Sequence, residues 1–241
     1  MVKMEQFEAR LIDIIPRGNC DQCFETCSYR FDNPLNMQYN AGQYFFVTIK
    51  TEDGEYRHHF SFSSSPTELD YLEFSTKLRD TDFKNALREL KIGDKVLIKA
   101  PAGEFTLDDS LDKIGMITGG IGITPFRSIC KYCTDKQTSK NIILLYGNHS
   151  EKDIAFKDDF DEMQNLNQNL KVAHAISEPS ESWKGYTGRI NLDMLKKEIP
   201  DFVERQFYLS GPQGMVQAID KLLLELEIQK NQIKKEVFPR Y

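Results

Sequence analysis

The residues best placed to do chemistry in this chain are Thr118-Gly119-Gly120-Ile121-Gly122-Ile123-Thr124-Pro125. Glycines let a backbone approach a ligand closely, and Pro125 presets the φ of a helix about to begin. The residues before the turn, Ile114–Ile117, form a short apolar run of the kind a buried parallel strand shows. Strand, glycine turn and helix start together aim unpaired N–H groups into a crevice, which suits a phosphate. The spacing is not the dinucleotide fingerprint Gly-x-Gly-x-x-Gly, because Pro125 stands at the third glycine's place. Such a turn equally closes an ordinary βα connection, so its flanks must decide.

The five cysteines offer a different chemistry. Cys20, Cys23 and Cys27 have a spacing that zinc or an iron–sulfur cluster could use. No His lies near them in sequence, and the plant-type ferredoxin spacing is absent. Cys130 and Cys133 fall on one face of the helix expected after the glycine turn. Small buried or half-exposed thiols are therefore expected, and no metal site is assigned.

These residues need elements to position them. Of the 241 residues, 40% are hydrophobic and 28% charged, an ordinary globular balance that can build real cores in one large domain or two. No run of 18 apolar residues exists, and the first ten residues are too charged for a secretory signal, so a cytoplasmic protein without membrane insertion is expected. Residues 1–112 carry 13 Lys and Arg against 20 Asp and Glu, a net −7; residues 113–241 carry 18 against 17, a net +1. No basic face points to nucleic acid.

Up to residue 112 the chain reads as strands: Phe7–Ile15, Phe24–Phe31, Tyr44–Ile49, Glu55–Phe62, Tyr71–Lys77 and Lys95–Ile98. Turn residues such as Asp53-Gly54 and Gly93-Asp94 punctuate them, and six short strands suggest an antiparallel β-barrel. One helix, Thr81–Leu90, interrupts, with Phe83, Leu87 and Leu90 on one face. From residue 113 strands alternate with helices. Strands at 114–118, 141–146, 170–175, 207–210 and 233–238, and helices after Pro125 and at 154–163, 192–197 and 215–228, imply a parallel α/β sheet. The expected fold is two domains, a six-stranded barrel over 1–112 and an α/β nucleotide-binding domain over 113–241.

Seven motifs in order then resemble the ferredoxin–NADP reductase superfamily over nearly the whole chain. They are Ala41-Gly42-Gln43-Tyr44, His58-His59-Phe60-Ser61, Gly93-Asp94 with Pro101–Phe105, Gly119–Pro125, Tyr146-Gly147, Ser210–Met215 and Glu236-Val237-Phe238. The resemblance implies a flavin-dependent NAD(P)H oxidoreductase without a fused iron–sulfur domain. A nicotinamide would give hydride to flavin N5, and the flavin would pass electrons to a separate acceptor.

The resemblance also implies roles. Phe60 would face the isoalloxazine and Ser61 would donate near N5. Family members have an arginine for the flavin phosphate where this chain has His58, so the resemblance places His58 and its neighbour Arg57 in the cofactor site. Arg57 is one position early and on the opposite strand face, so it cannot replace that arginine without a bulge. Thr76, Thr81, Phe83 and Lys84 would meet the flavin phosphates at the helix start, which favours FAD over FMN. Thr118, Gly119, Gly120, Gly122, Thr124 and Pro125 would hold the NAD(P) pyrophosphate, with Gly211, Pro212 and Met215 beside it. Ser210 stands where many relatives carry a cysteine by the nicotinamide. Glu236 would relay a proton, while Phe238, ahead of Tyr241, would shield the flavin.

Ser177-Glu178 occupies the place of a Ser-Arg pair in NADPH-selective relatives. Glu178 would repel a 2′-phosphate, which favours NADH. Lys152 and Lys184 are near enough in sequence to compensate. A ferredoxin, a flavodoxin, an oxygenase component, free flavin and a quinone all stand as acceptors. A non-catalytic flavin- or nucleotide-binding subunit is the alternative, favoured by the departures at His58 and Ser210.

Overall fold

The computed structural model describes residues 3–17 and 25–238. The first half forms one antiparallel sheet of β1 (Glu5–Pro16), β2 (Thr26–Asp32), β3 (Tyr44–Thr51), β4 (Gly54–Ser61), β5 (Tyr71–Lys77) and β6 (Lys95–Ala102), in the order β4-β3-β6-β1-β2-β5. Period-2 alternation turns Phe7, Ala9 and Leu11 of β1 inward, where they meet Tyr29, Phe31, Val47, Phe74 and Ile98. The sheet curls until its edges face each other, as the expected barrel requires. β4 and β5 do not pair as strands. Ser63, just past β4, donates its N–H to the Glu73 carbonyl at 2.8 Å, and Phe60 stacks on Phe74 at 4.1 Å. Helix α1 (Asp82–Glu89) is capped by Thr81, whose Oγ1 accepts from the Lys84 N–H at 3.3 Å, and buries Phe83, Ala86 and Leu87.

The second half is a parallel sheet of β7 (Lys113–Gly119), β8 (Asn141–Asn148), β9 (Leu170–Ile176), β10 (Tyr186–Thr187), β11 (Gln206–Pro212) and β12 (Ile233–Phe238). Its order is β10-β9-β8-β7-β11-β12. Helices α2 (Thr124–Asp135) and α3 (Lys157–Leu166) cover one face, packing Phe126, Ile129, Phe160 and Met163 on Met116 and Leu144. Helices α4 (Leu192–Glu198) and α5 (Gln213–Glu225) cover the other, over Ile117, Leu145 and Leu209. Strand order reverses between β7 and β11, and a doubly wound sheet opens its crevice at such a point. The helix expected from Ile154 begins at Lys157, after Phe156 at a φ of +61°. The two-residue β10 has no sequence signal, being too short for a period. No helix among the described residues is long and apolar enough to cross a membrane.

The halves are joined by a segment held on both sides. Lys140 donates to the carbonyls of Asp109 and Leu111 at 2.8 and 2.7 Å, and Tyr208 Oη donates to that of Thr106 at 3.2 Å. Gly42, at φ +97°, is required because a Cβ there would lie 2.2 Å from the Phe105 carbonyl oxygen.

Charged groups are also buried here. Fully buried Glu73 accepts from Arg17 at 3.1 Å, from Arg30 at 2.7 Å and from Ser63 Oγ at 2.8 Å. Arg17 reaches on to Asp159 of α3 at 3.3 Å, and Asp159 also binds Arg127 of α2 at 2.8 Å. Arg127 pairs in turn with Glu68 in the loop before β5. Burial works to raise the Glu68 carboxyl, but the Arg127 guanidinium outweighs it and leaves the group below its ordinary range.

Removing one member of such a cluster strands the others. Glu73→Ala is expected to cost about 3–5 kcal/mol in urea unfolding, because it leaves Arg30 without its carboxylate and Arg17 with Asp159 alone. A loss under about 1 kcal/mol would place the closure of the barrel elsewhere.

Candidate active site

The crevice is built from strand ends. β7 ends in Thr118-Gly119 and β11 in Ser210-Gly211, side by side because Ser210 pairs with Thr118 in the register. Both side chains are fully buried, and neither hydroxyl has a hydrogen-bond partner among the described residues. A buried hydroxyl left unpaired is costly, and both stand at the strand ends that bound the crevice. The glycines divide by purpose. A Cβ on Gly120, at φ +55°, would meet nothing within 4 Å, so that backbone faces open space. A Cβ on Gly122 would lie 2.5 Å from Gly211 Cα, so Gly122 serves the packing of the turn on β11. Pro125 is buried in the first turn of α2, and Thr124 donates its hydroxyl to the Ile121 carbonyl at 3.2 Å.

Over the turn lies a cavity of about 470 Å³, walled by Gly119, Gly120, Asn148, Ser177, Pro212 and Met215 among others. Both amide atoms of Asn148, 7% exposed, are unpartnered among the described residues. Glu178 stands just beyond Ser177, its carboxylate 3.3 Å from His149 Nε2. Lys152 and Lys184 do not line the cavity. Lys77 and Arg189 do, and sequence reasoning missed both. Lys77 comes from β5 of the other half and pairs with Asp153 at 3.4 Å, while Arg189 follows the unanticipated β10.

A second cavity, of about 130 Å³, is lined by His58, Phe60, Ser61, Thr124, Glu236 and Phe238 among others. Glu236 pairs with Ser210 in the register, so Thr118, Ser210 and Glu236 form a row across β7, β11 and β12. Ser61, at the end of β4, donates to Glu236 Oε2 at 3.3 Å across the cleft. Burial pushes the Glu236 carboxyl up to about 7, against the opposing pull of the Ser61 bond. A carboxyl so poised exchanges a proton readily near neutral pH.

Other sequence expectations need correction. β4 pairs with β3 in unbroken register, so no bulge brings Arg57 inward. Its guanidinium lies 4.3 Å from the Phe46 ring centroid on the outer face, and Arg57 does not line the cavity beside Ser61. His58 shares a face with Phe60 and stacks on it at 4.8 Å. Burial lowers the His58 pKa, so near neutral pH its ring is an uncharged aromatic surface and not a phosphate cation. Phe60 also packs into the barrel core on Phe74, so the cavity wall is His58 and Phe60 together. Phe83 is a core residue.

Lys84, expected to charge the helix start, turns inward. Its ammonium donates to Thr76 Oγ1 and lies 4.4 Å from the Phe60 centroid, and burial lowers its pKa to about 7. Thr76 and Thr81 thus use their hydroxyls within the protein, one accepting from Lys84 and one as the cap. Tyr241, Cys20 and Cys23 lie outside the described residues. Cys27, Cys130 and Cys133 are buried, and Cys130 Sγ touches Met116 Sδ at 3.9 Å. The orphaned hydroxyls, the orphaned Asn148 amide and the open glycine turn fit a nicotinamide dinucleotide. Ser61, Glu236 and the aromatic wall fit a flavin ring.

The Glu236 shift has a consequence for stability. The folded carboxyl keeps its proton up to about pH 7, whereas an unfolded glutamate loses it near about pH 4.3. The group's stabilising contribution is therefore full below the lower value and is lost as pH rises through the higher. Glu236→Gln should remove this decline, gaining on the order of 3–4 kcal/mol on wild type between about pH 4 and pH 8. A mutant-minus-wild-type difference that stays constant over this range would assign Glu236 an ordinary titration.

Residues 21–107 match the oxidoreductase FAD-binding domain family, and residues 116–221 match the oxidoreductase NAD-binding domain family. The glycine betaine monooxygenase reductase subunit of Pseudomonas aeruginosa is 32% identical over 208 residues, 82% of this chain and 56% of that protein. The chain thus spans little more than half of that relative's length. NADH-cytochrome b5 reductase 1 of Mortierella alpina is 28% identical over 236 residues, covering 94% of this chain and 78% of that protein. The ferredoxin NADP+ reductase of Neisseria gonorrhoeae shares the fold, with a TM-score of 0.80, 18% identity and coverage of 98% and 99% of the two chains. With both domain families in sequence, on the fold they require and with the crevice at their junction, this chain belongs to the ferredoxin–NADP reductase superfamily, whose cofactors here are FAD and a nicotinamide dinucleotide.

Proposed function

We propose that this protein is an FAD-dependent NAD(P)H reductase that hands electrons to a separate acceptor, with residues 1–112 holding the flavin and residues 113–241 the nucleotide. The observation that carries this reading is the Ser61–Glu236 hydrogen bond of 3.3 Å. It joins a hydroxyl of the flavin half to a carboxylate of the nucleotide half, in register with Ser210. The bound flavin supplies the capacity to take a hydride from reduced nicotinamide and release its electrons singly.

The chain's own residues do the rest. Thr118 and Ser210 orient the nicotinamide end with hydroxyls that have no other partner. The Gly119-Gly120 backbone, Lys77 and Arg189 hold the pyrophosphate. Glu236 takes up or gives a proton near neutral pH, held in place by the Ser61 hydroxyl that donates to its Oε2, while His58, Phe60 and Phe238 exclude water. The names of the relatives, a monooxygenase reductase subunit and a cytochrome b5 reductase, support a separate acceptor.

Purified protein should be yellow and should bleach with NADH under anaerobic conditions; a colourless protein rejects the reading. Ser61→Ala should keep its FAD yet slow flavin reduction about tenfold or more, the scale of a lost positioned donor. Reduction at the wild-type rate would move the flavin away from Ser61.

Glu178, which does not itself line the cavity but follows Ser177 and pairs with His149 of its wall, sets a preference for NADH. Its carboxylate would repel a 2′-phosphate, and its oxygens suit a ribose diol. Steady-state kinetics should give the higher kcat/KM with NADH, and Glu178→Arg should shift the ratio toward NADPH by about tenfold. A variant that gains nothing with NADPH removes Glu178 from the site.

A further inference from the structure

Arg127 lies in the first turns of α2, close behind Thr124, and is only 3% exposed. Its guanidinium points three ways. Nη1 donates to the Ser63 carbonyl at 3.0 Å, Nη2 and Nε donate to Asp159 Oδ1 at 2.8 and 3.1 Å, and the Glu68 carboxylate takes a two-pronged bond. Ser63 and Glu68 belong to the flavin half, and Asp159 to the nucleotide half. Ser63 is two residues beyond Ser61, and Arg127 is three residues beyond Thr124. Ser61 and Thr124 line the same cavity.

A buried cation is a poor way to fill space, since an apolar side chain of similar volume avoids its desolvation. A planar fork of donors instead supplies direction, holding several acceptors at fixed angles. Here those acceptors are the segment that follows Ser61, a loop of the flavin half and a helix of the nucleotide half. We infer that Arg127 is a positioning residue for electron transfer. It sets the separation between the Ser61 strand end and the glycine turn, and hence between the two cofactors that each side holds. The inference rests on the reductase reading above. Transfer needs reacting atoms about 3–3.5 Å apart, so a shift of an ångström at this bridge is felt in rate before it is felt in binding.

The test uses the FAD-loaded full chain. Wild type, Arg127→Met and Arg127→Lys are compared for FAD stoichiometry, anaerobic flavin reduction by NADH in stopped flow, and the long-wavelength absorbance of nicotinamide seated against flavin. Arg127→Met should keep its FAD and bind NADH with an apparent Kd within about threefold of wild type. Its limiting rate of reduction should fall about tenfold or more, and the long-wavelength band should be lost.

Arg127→Lys keeps the charge without the fork and should remain at least about fivefold slow. If it recovers the wild-type rate, charge alone suffices and the inference is overturned. It is equally overturned by an Arg127→Met enzyme that reduces within twofold of wild type with its band intact, or by one that loses flavin and rate in the same proportion. Should Arg127→Met fail to fold, Glu68→Gln and Asp159→Asn each remove one arm. Slowing by threefold or more in either supports the inference, and wild-type rates in both overturn it. A wild-type protein that neither NADH nor NADPH reduces defeats the functional reading and this inference together, whereas an active wild type with unimpaired variants defeats the inference alone.

Discussion

Two guanidiniums, those of Arg17 and Arg127, meet on the carboxylate of Asp159, and the rest of the molecule depends on that meeting. Each half has its own core, and the two meet where Ala41, Phe105 and Leu107 of the flavin half pack beside Phe126 and Tyr208. Apolar burial alone would leave many relative orientations nearly equal in energy, because it has no direction. Ionic hydrogen bonds do have direction. A charge taken out of water must find its partners at nearly one geometry or lose several kilocalories per mole. Arg17 ties Asp159 to Glu73 inside the barrel, and Arg127 ties it to Glu68 and to the backbone beyond Ser61. Orientation is thereby specified, at a desolvation cost that a purely structural contact would avoid.

That orientation gives the crevice its chemistry. Parallel register sets Thr118, Ser210 and Glu236 in a row at the carboxyl ends of their strands. Only the docking of the barrel places Ser61 opposite the row and buries Glu236 deeply enough to hold a proton near neutral pH. The glycine turn shows the same dependence. Gly120 is open to a ligand, while Gly122 is needed because β11 lies against it. One motif therefore serves binding and packing with different glycines, and both uses follow from strand order reversing beside β7.

Polar groups that look alike in sequence behave differently once their neighbours are known. Lys77 and Lys84 are seven residues apart in one strand–helix unit. Lys77 reaches the nucleotide cavity from the flavin half, whereas Lys84 is drawn under Phe60 and bonded to Thr76. His58 stands at a position that resembles a phosphate-binding site, yet partial desolvation lowers its pKa and stacking makes it part of an aromatic wall.

What the sequence determined by itself was whatever depends on near neighbours. Short strand segments punctuated by turn residues marked the six barrel strands, an apolar run marked β7, Thr81 and Pro125 marked helix starts, and the order of the motifs identified the superfamily. The opposed facing of Arg57 and His58 also followed from strand periodicity, although it could not tell that Phe46 would take Arg57. Tertiary structure alone decided the rest. Glu73 with Arg17 and Arg30, Arg127 with Glu68 and Asp159, Lys140 on the connecting segment, and Ser61 on Glu236 all join residues far apart in the chain. Periodicity reports which face of an element is buried, but it carries no information about which charge lies across the interface. That is set by how two separately formed sheets dock, and the energies that choose the docking are long-range in sequence and short-range in space.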